Sequence, residues 1–338
     1  MTRKTIKLAV FSAKPYDKKY LAQVAQDKFP GSVEVFYYDF ALRPKTISVV
    51  KGVDAVCAFV NDDLSAPVLR ALHEAGVRAV LLRCAGYNNV DLAVAKELGI
   101  FVARVPSYSP ESVAEFAVAL LQVLNRHIHR AYNRVREGNF NLQGLVGSTL
   151  HGKTVGLIGL GKIGFALARI LRGFGCRLLA YDPFPNDAFR EFGEFKSLEE
   201  LLPECDIISL HCPLTEETRY IINESSLAKM KKGALLINTS RGGLIHTKSV
   251  ITALKKRHLG GLGIDVYEEE GDLFYKDHSG DIIQDDQLMR LLTFPNVVVT
   301  GHQAFLTEEA LIEIASTTFQ NLHDFVTGSE CKNSLVKD

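Results

Sequence analysis

The chain has 338 residues, 47% hydrophobic and 23% charged. That is an ordinary globular balance, and about 150 residues per domain gives two domains. The 39 Lys and Arg cancel the 39 Asp and Glu, so no basic excess exists to grip a phosphate backbone and no nucleic-acid partner is expected. No apolar run approaches the roughly 20 residues of a membrane span. The best candidate, 113–124, carries Glu115 and Gln122, and the N-terminal run 8–11 is too short for a secretory leader. A cytoplasmic protein without a membrane partner is expected.

Strand-like and helix-like runs alternate along the chain. Strands are predicted at 7–13, 33–39, 55–60, 79–84 and 100–105, with helices at 17–28, 66–75 and 91–98 between them. Such alternation implies βαβ units and a parallel sheet, and near-continuous apolar strands imply a sheet covered on both faces. A long helix is predicted over 112–130, after the break at 107–110. Its apolar face (Val113, Phe116, Ala117, Leu120, Leu121, Leu124) suits internal core or a contact with another subunit. Six further strands follow at 154–159, 177–182, 206–211, 234–239, 262–267 and 296–301, the number a doubly wound dinucleotide fold requires. The stretch 268–295 breaks this rhythm with at most a short helix at 286–292, and long irregular stretches in compact domains are often functional. The cysteines Cys57, Cys84, Cys176, Cys205, Cys212 and Cys331 show no CxxC spacing and read as reduced, mostly buried thiols, with no metal site.

The first chemical signal is Gly159-Leu160-Gly161-Lys162-Ile163-Gly164, a GxGxxG between a strand and a helix. Gly159 permits the tight turn, Gly161 admits a pyrophosphate to the backbone, and Gly164 lets helix and strand pack closely. The helix N-terminus at Lys162 and Ile163 offers free N–H groups to the anion. Asp182 ends the next strand, 18 residues past Gly164. A carboxylate there accepts from ribose hydroxyls and repels a 2′-phosphate, favouring NAD over NADP.

Three later strands end in charged residues: Arg241 in INTSRGGLIH, Asp265 and Glu270 in GIDVYEEE, and His302 in VTGHQAF. Hydride transfer to an acidic carbonyl compound needs a cation for the acid group, an acid/base, and a group that orients it. Guanidinium, imidazole and carboxylate meet those needs. With 10 histidines in the chain, residue chemistry alone leaves the choice open.

Longer motifs narrow it. KLAVFSAKPYDKKYL, LRCAGYNNVDL, RVPSYSPESVAE, LIGLGKIG, ISLHCPLT, INTSRGGLI, GIDVYEEE, FYKDHSGDIIQDD and TGHQAFLTEEAL run almost end to end. Together they resemble the NAD-dependent D-2-hydroxyacid dehydrogenases, and FYKDHSGDIIQDD is similar to their lactate-type branch. The resemblance implies two doubly wound parallel-sheet domains with a cleft between them. One is a Rossmann nucleotide domain at 108–303, the other a discontinuous flavodoxin-like substrate domain at 1–107 plus 304–338. It implies reversible NADH-dependent reduction of pyruvate to D-lactate. Arg241 would bind the substrate carboxylate, His302 would donate the proton and Glu270 would be its partner, chosen over Glu268 and Glu269. Cys212, Pro213, Thr239 and Asp265 would contact the cofactor, with Asp265 near the nicotinamide carboxamide. Backbone N–H groups at Ala85 and Gly86 would meet the substrate, and Tyr108 and Phe305 would shape its pocket. A homodimer or homotetramer is implied. Rival substrates are bulkier 2-keto acids, glyoxylate, hydroxypyruvate and 3-phosphoglycerate. A nucleotide-sensing binding protein is the rival of another class. A methyl-donor enzyme on a similar loop leaves Arg241, Glu270 and His302 unexplained.

Overall fold

The computed structural model describes residues 5–336. The chain divides into two compact units: the residues up to Ser109 together with those from Leu306 onward, and the continuous segment Pro110–Phe305.

The first unit runs β1 (Ile6–Val10), α1 (Pro15–Lys28), β2 (Val33–Tyr37), β3 (Ala55–Ala58), α2 (Ala66–Glu74), β4 (Ala79–Leu82), α3 (Leu92–Glu97) and β5 (Phe101–Arg104). Its five parallel strands lie in the order β2-β1-β3-β4-β5, the flavodoxin-like arrangement. Every residue of β3 (AVCA) and β4 (AVLL) is buried, as strands covered on both faces must be. Just past β4, Arg83 is 2% exposed. Its Nε donates to Asp17 of α1 at 3.1 Å, its Nη2 donates to the Ser12 carbonyl at 2.9 Å, and its guanidinium lies over the Phe59 ring. Removing one partner of such a buried pair costs about 3–5 kcal/mol, because the other charge is left stranded. The pair therefore fixes where the chain leaves β4, two residues before Ala85.

The second unit opens with α4 (Pro110–Asn125) and α5 (Ile128–Arg136). It continues through β6 (Thr154–Ile158), α6 (Lys162–Gly173), β7 (Arg177–Tyr181), β8 (Gly193–Phe195), α7 (Leu198–Glu204), β9 (Ile207–Leu210) and α8 (Glu224–Lys229). It closes with β10 (Leu235–Asn238), α9 (Thr247–Lys255), β11 (Gly261–Ile264), α10 (Asp286–Leu292) and β12 (Val297–Val299). The strands are all parallel, in the order β12-β11-β10-β9-β6-β7-β8. Strand order reverses between β6 and β9, and ligands of such sheets bind outside the carboxyl ends at that switch point. Sequence reading gives six strands here and the structure has seven. The extra strand, β8, is three residues long and begins at Gly193, where a Cβ would fall 2.2 Å from the Leu178 carbonyl oxygen.

The single helix predicted over 112–130 is two. It stops at Asn125, His127 takes a left-handed φ of 54°, and α5 starts at Ile128. α4 covers the sheet with Ala117, Leu120, Leu121 and Leu124. The glycines of β11 admit it: Leu120 packs at Gly263 and Leu124 at Gly261. Each leucine buried this way contributes roughly 1.5–3 kcal/mol. The short helix expected at 286–292 is present as α10, capped by Asp285, which accepts from the N–H groups of Gln287 and Leu288 at 2.9 Å.

Finally α11 (Glu308–Thr327) returns to the first unit and packs on α1. Ala315, Phe319 and Leu322 join Leu8, Leu21, Val24 and Leu81 in one core. The Tyr20 hydroxyl donates to Glu308 at 2.7 Å. No disulfide joins the six cysteines. Cys57, Cys84, Cys205 and Cys212 are buried, and Cys176 and Cys331 partly so. Among the described residues no helix is long and apolar enough to cross a membrane, and no group of three or more His, Cys, Asp or Glu is placed to hold a metal ion.

Candidate active site

The glycine loop leaves β6 at Gly159, whose φ is 93°. A Cβ there would lie 2.3 Å from the Cys212 nitrogen, and one at Gly164 would lie 2.2 Å from the Gly159 carbonyl oxygen. Both positions therefore exclude a side chain on packing grounds. Gly161 differs: nothing lies within 4 Å of where its Cβ would point. The loop thus presents an open backbone face at the N-terminus of α6, where free N–H groups and the helix dipole favour an anion.

Asp182, one residue past β7, holds that loop. Its Oδ2 accepts from the Leu160 N–H at 2.6 Å and its Oδ1 from the Phe184 N–H at 2.8 Å. An ionised carboxylate has about four acceptor sites, so two remain for ribose hydroxyls. Cys212 and Pro213 follow β9, and the Ser240 hydroxyl ties the Cys212 carbonyl to the end of β10 at 2.7 Å. Thr239 is buried and its hydroxyl has no partner among the described residues. Orphaned buried polar atoms are rare and call for a ligand or water. The open loop face, the Asp182 carboxylate and this hydroxyl fit a dinucleotide.

Arg241 is presented by a turn that Asn238 builds. This fully buried asparagine donates to the Arg241 carbonyl at 2.8 Å and accepts from the Ser240 N–H at 3.0 Å. The guanidinium Nη1 donates to the Ser240 carbonyl at 2.7 Å. Gly242 next to it lies against the Tyr267–Glu268 peptide, where a Cβ would be 2.0 Å from the Tyr267 carbonyl carbon.

Asp265 follows β11 and is fully buried. Its carboxylate accepts from the Thr300 hydroxyl at 2.5 Å, the Gln303 N–H at 2.9 Å and the Ala304 N–H at 2.8 Å. Burial pushes its pKa up, opposed by these bonds. Its carbonyl takes the His302 N–H at 2.7 Å. The arrangement wraps the 300–304 segment around Asp265 and holds His302 at a left-handed φ of 56°, a conformation that persists only when its surroundings over-determine it. The His302 Nδ1 then meets Glu270 Oε1 at 2.8 Å, while Glu270 Oε2 accepts from the Tyr267 N–H at 2.9 Å. The imidazole and carboxylate are 17% and 23% exposed, shielded yet reachable. The Tyr275 ring stands 5.7 Å from the imidazole. With Nδ1 given to the carboxylate, Nε2 is the ring nitrogen left to meet another group.

The ends of β10, β11 and β12 thus bring Arg241, Asp265, Glu270 and His302 to one edge of one sheet, with the glycine loop, Asp182, Cys212, Pro213 and Thr239 on the neighbouring strand ends of the same sheet. Phe305 is the last residue of this unit and is buried. Ala85, Gly86 and Tyr108 belong to the other unit. There the Ala85 carbonyl accepts from Arg104 at 2.8 Å and the Gly86 carbonyl from the Cys84 thiol at 3.3 Å. Sequence reading passed over Asn238, Thr300 and Tyr275. Asn238 and Thr300 carry a usable signal, since each is a polar residue at the end of an apolar strand beside a candidate catalytic residue.

Residues 118–304 match the family model described as "D-isomer specific 2-hydroxyacid dehydrogenase, NAD binding domain". Over 98% of this chain, the sequence is 63% identical to "2-hydroxyacid dehydrogenase A" of Aspergillus oryzae, of which 96% is covered. It is 54% identical to "D-lactate dehydrogenase" of Escherichia coli, with 98% of this chain and 100% of that protein covered. The apo structure of Escherichia coli D-lactate dehydrogenase superposes with a TM-score of 0.90 at 52% identity, covering 98% of this chain and 100% of that one. An NAD-complexed D-isomer specific 2-hydroxyacid dehydrogenase of Lactobacillus delbrueckii gives 0.80 at 30% identity, over 97% and 99%. Fold, glycine loop and relatives agree: this chain belongs to the D-isomer specific 2-hydroxyacid dehydrogenases.

Proposed function

We propose that the chain catalyses the reversible NADH-dependent reduction of pyruvate to D-lactate. The observation that carries this reading is the His302–Glu270 pair at 2.8 Å, one strand end from Arg241 on a nucleotide-binding sheet. Relatives named D-lactate dehydrogenase at 61% and 54% identity support the substrate.

Bound NADH supplies the hydride to the keto carbon. The chain's residues do the rest. The guanidinium of Arg241 takes the substrate carboxylate in two parallel bonds, which its planar fork suits. His302 Nε2 gives its proton to the keto oxygen as charge builds there, converting keto acid to hydroxy acid. Glu270 keeps the ring in one orientation and stabilises the imidazolium while it is charged. Asp265 holds the segment that carries His302, and its remaining acceptor capacity serves the nicotinamide carboxamide. The first unit would act as the substrate domain, with the Ala85 and Gly86 N–H groups and Tyr108 as its substrate contacts.

We infer a homo-oligomer built on the second unit. α5 leaves Ile128, Tyr132 and Val135 exposed, and the segment after it exposes Phe140, Leu142 and Val146 by 74%, 77% and 88%. Contiguous apolar surface of this kind marks association sites. Six cysteines that form no disulfide fit a reducing cytoplasm.

The test is a panel of 2-keto acids with NADH and NADPH, followed at 340 nm, with chiral analysis of the product. Pyruvate with NADH should give the highest kcat/KM and D-lactate. Tight NADH binding with no turnover of any keto acid refutes the reading.

A further inference from the structure

We propose that Glu268 is a positioning residue whose carboxylate locks the strand end carrying Arg241 to the strand end carrying Glu270. This rests on the reaction proposed above and adds to it a residue that touches neither substrate nor cofactor.

Glu268 sits two residues before Glu270, and all its polar contacts run the other way, toward the Arg241 side. One carboxylate oxygen accepts from the Tyr220 hydroxyl. The other accepts from the Thr247 N–H at 3.2 Å and the Thr247 hydroxyl at 2.8 Å. Thr247 opens α9 at the end of the short segment that starts at Arg241. Tyr220 belongs to the turn that pairs with that segment. Its N–H donates to the Gly243 carbonyl at 2.9 Å, the Ile222 N–H to the Leu244 carbonyl at 3.0 Å, and the His246 N–H returns to the Ile222 carbonyl at 2.9 Å. A single carboxyl side chain thus takes donors from both segments of the support that carries Arg241.

The backbone of the same residue completes the link. Gly242, the neighbour of Arg241, lies against the Tyr267–Glu268 peptide so closely that a Cβ would be 2.4 Å from the Glu268 nitrogen. On its other side this segment donates the Tyr267 N–H to Glu270. Tyr267 therefore stands between the Arg241 segment, which lies against its carbonyl, and the carboxylate that orients His302, which takes its N–H. Glu268 clamps it in place.

This arrangement matters because the two groups act on a very small molecule. Arg241 would hold the carboxylate of a 2-keto acid and His302 would act on the oxygen of the adjacent carbon. A shift of about 1 Å between the two costs up to about a hundredfold in rate. Strands β10 and β11 alone do not fix that separation, since Arg241 and Glu270 both stand beyond the strand ends, Arg241 capping one short 3-10 turn and Glu270 opening another.

The experiment compares full-length wild type with Glu268→Ala, Glu268→Gln and the milder Tyr220→Phe with Thr247→Val. Measured are kcat and KM for the keto acid, the NADH Kd, and amide exchange of segments 241–247 and 267–272. In Glu268→Ala, kcat/KM for the keto acid should fall about 10- to 100-fold with KM raised, by the geometric argument above. The NADH Kd should stay within about twofold, because the glycine loop stands on other strands, and exchange in both segments should rise. Glu268→Gln should lie between, keeping an acceptor oxygen but losing the charge. The Tyr220→Phe, Thr247→Val pair should reproduce part of the loss and add nothing on top of Glu268→Ala, as residues of one network do. Unchanged kcat/KM in Glu268→Ala, or equal losses in keto-acid turnover and NADH binding, overturns the lock. If Glu268→Ala does not fold, the Tyr220→Phe, Thr247→Val pair decides by the same criteria. If the wild type itself turns over no keto acid, the proposed reaction fails. Exchange then still decides, and equal rates in wild type and variant overturn the lock.

Discussion

Replacing Gly161 by alanine should abolish tight NADH binding while leaving the protein folded. The reasoning is geometric. Gly161 caps α6 at φ −68° and ψ −167°, extended backbone open to any residue. A Cβ there meets nothing within 4 Å, so alanine introduces no clash with the chain. Gly→Ala at a permissive position also removes unfolded-state entropy worth about 0.4–1 kcal/mol, which offsets the weaker capping of alanine, typically about 1 kcal/mol. Stability should therefore change by less than about 1 kcal/mol, a shift of a few degrees in Tm. The methyl group occupies the space that the pyrophosphate needs, so NADH affinity should fall at least about tenfold, or about 1.4 kcal/mol. Gly164→Ala provides the contrast. Its Cβ would lie 2.2 Å from the Gly159 carbonyl oxygen, so the loop itself must move and Tm should drop with affinity. The assay is NADH fluorescence titration beside thermal melting for both variants. Wild-type NADH affinity in Gly161→Ala, or a Tm loss equal to that of Gly164→Ala, refutes the cradle.

Three further outcomes are expected. His302→Ala should lower kcat by roughly 10²–10⁴, the span of a lost general acid/base, and near-normal turnover removes His302 from the reaction. Arg241→Lys should raise the KM for pyruvate and lower kcat, since an ammonium cannot reproduce the two-pronged grip, and steady-state kinetics with both parameters unchanged would contradict the role. His211 hydrogen-bonds Ser209 at 2.8 Å, and burial holds its pKa down at about 4 from 6.5. The folded state keeps this ring neutral while the unfolded chain protonates it. Stability from this group is full above about pH 6.5 and is lost as pH falls toward about 4, by at most about 3 kcal/mol. Urea titrations from pH 7 to 4 should show a shallower acid loss in His211→Gln, and identical slopes would count against the burial of this ring.

The alternation of apolar strands with helices was enough to give two parallel sheets, because strands covered on both faces read as continuous apolar runs such as AVCA and AVLL. The shared edge of Arg241, Glu270 and His302 was legible for a related reason. Adjacent parallel strands deliver their carboxyl ends to one edge, however far apart they lie in the chain. What escaped depends on contacts that no local pattern encodes. β8 exists because Gly193 lets a three-residue strand approach Leu178. The break between α4 and α5 falls at His127, which reaches a left-handed φ without the glycine or proline that usually announces one. Asn238, Thr300 and Glu268 shape the site through hydrogen bonds to backbone and hydroxyl groups elsewhere in the chain. Their partners become visible only once the strands are paired.

The return of α11 to the first unit carries a cost in time. The Tyr20–Glu308 bond spans 288 positions, so during synthesis the opening strands leave the ribosome long before the helix that seals their core exists. The continuous stretch between Pro110 and Phe305 can condense as soon as it emerges. A nascent chain therefore carries a finished nucleotide fold and an unsealed apolar sheet until the residues from Leu306 onward are made, the interval in which a chaperone has most to shield.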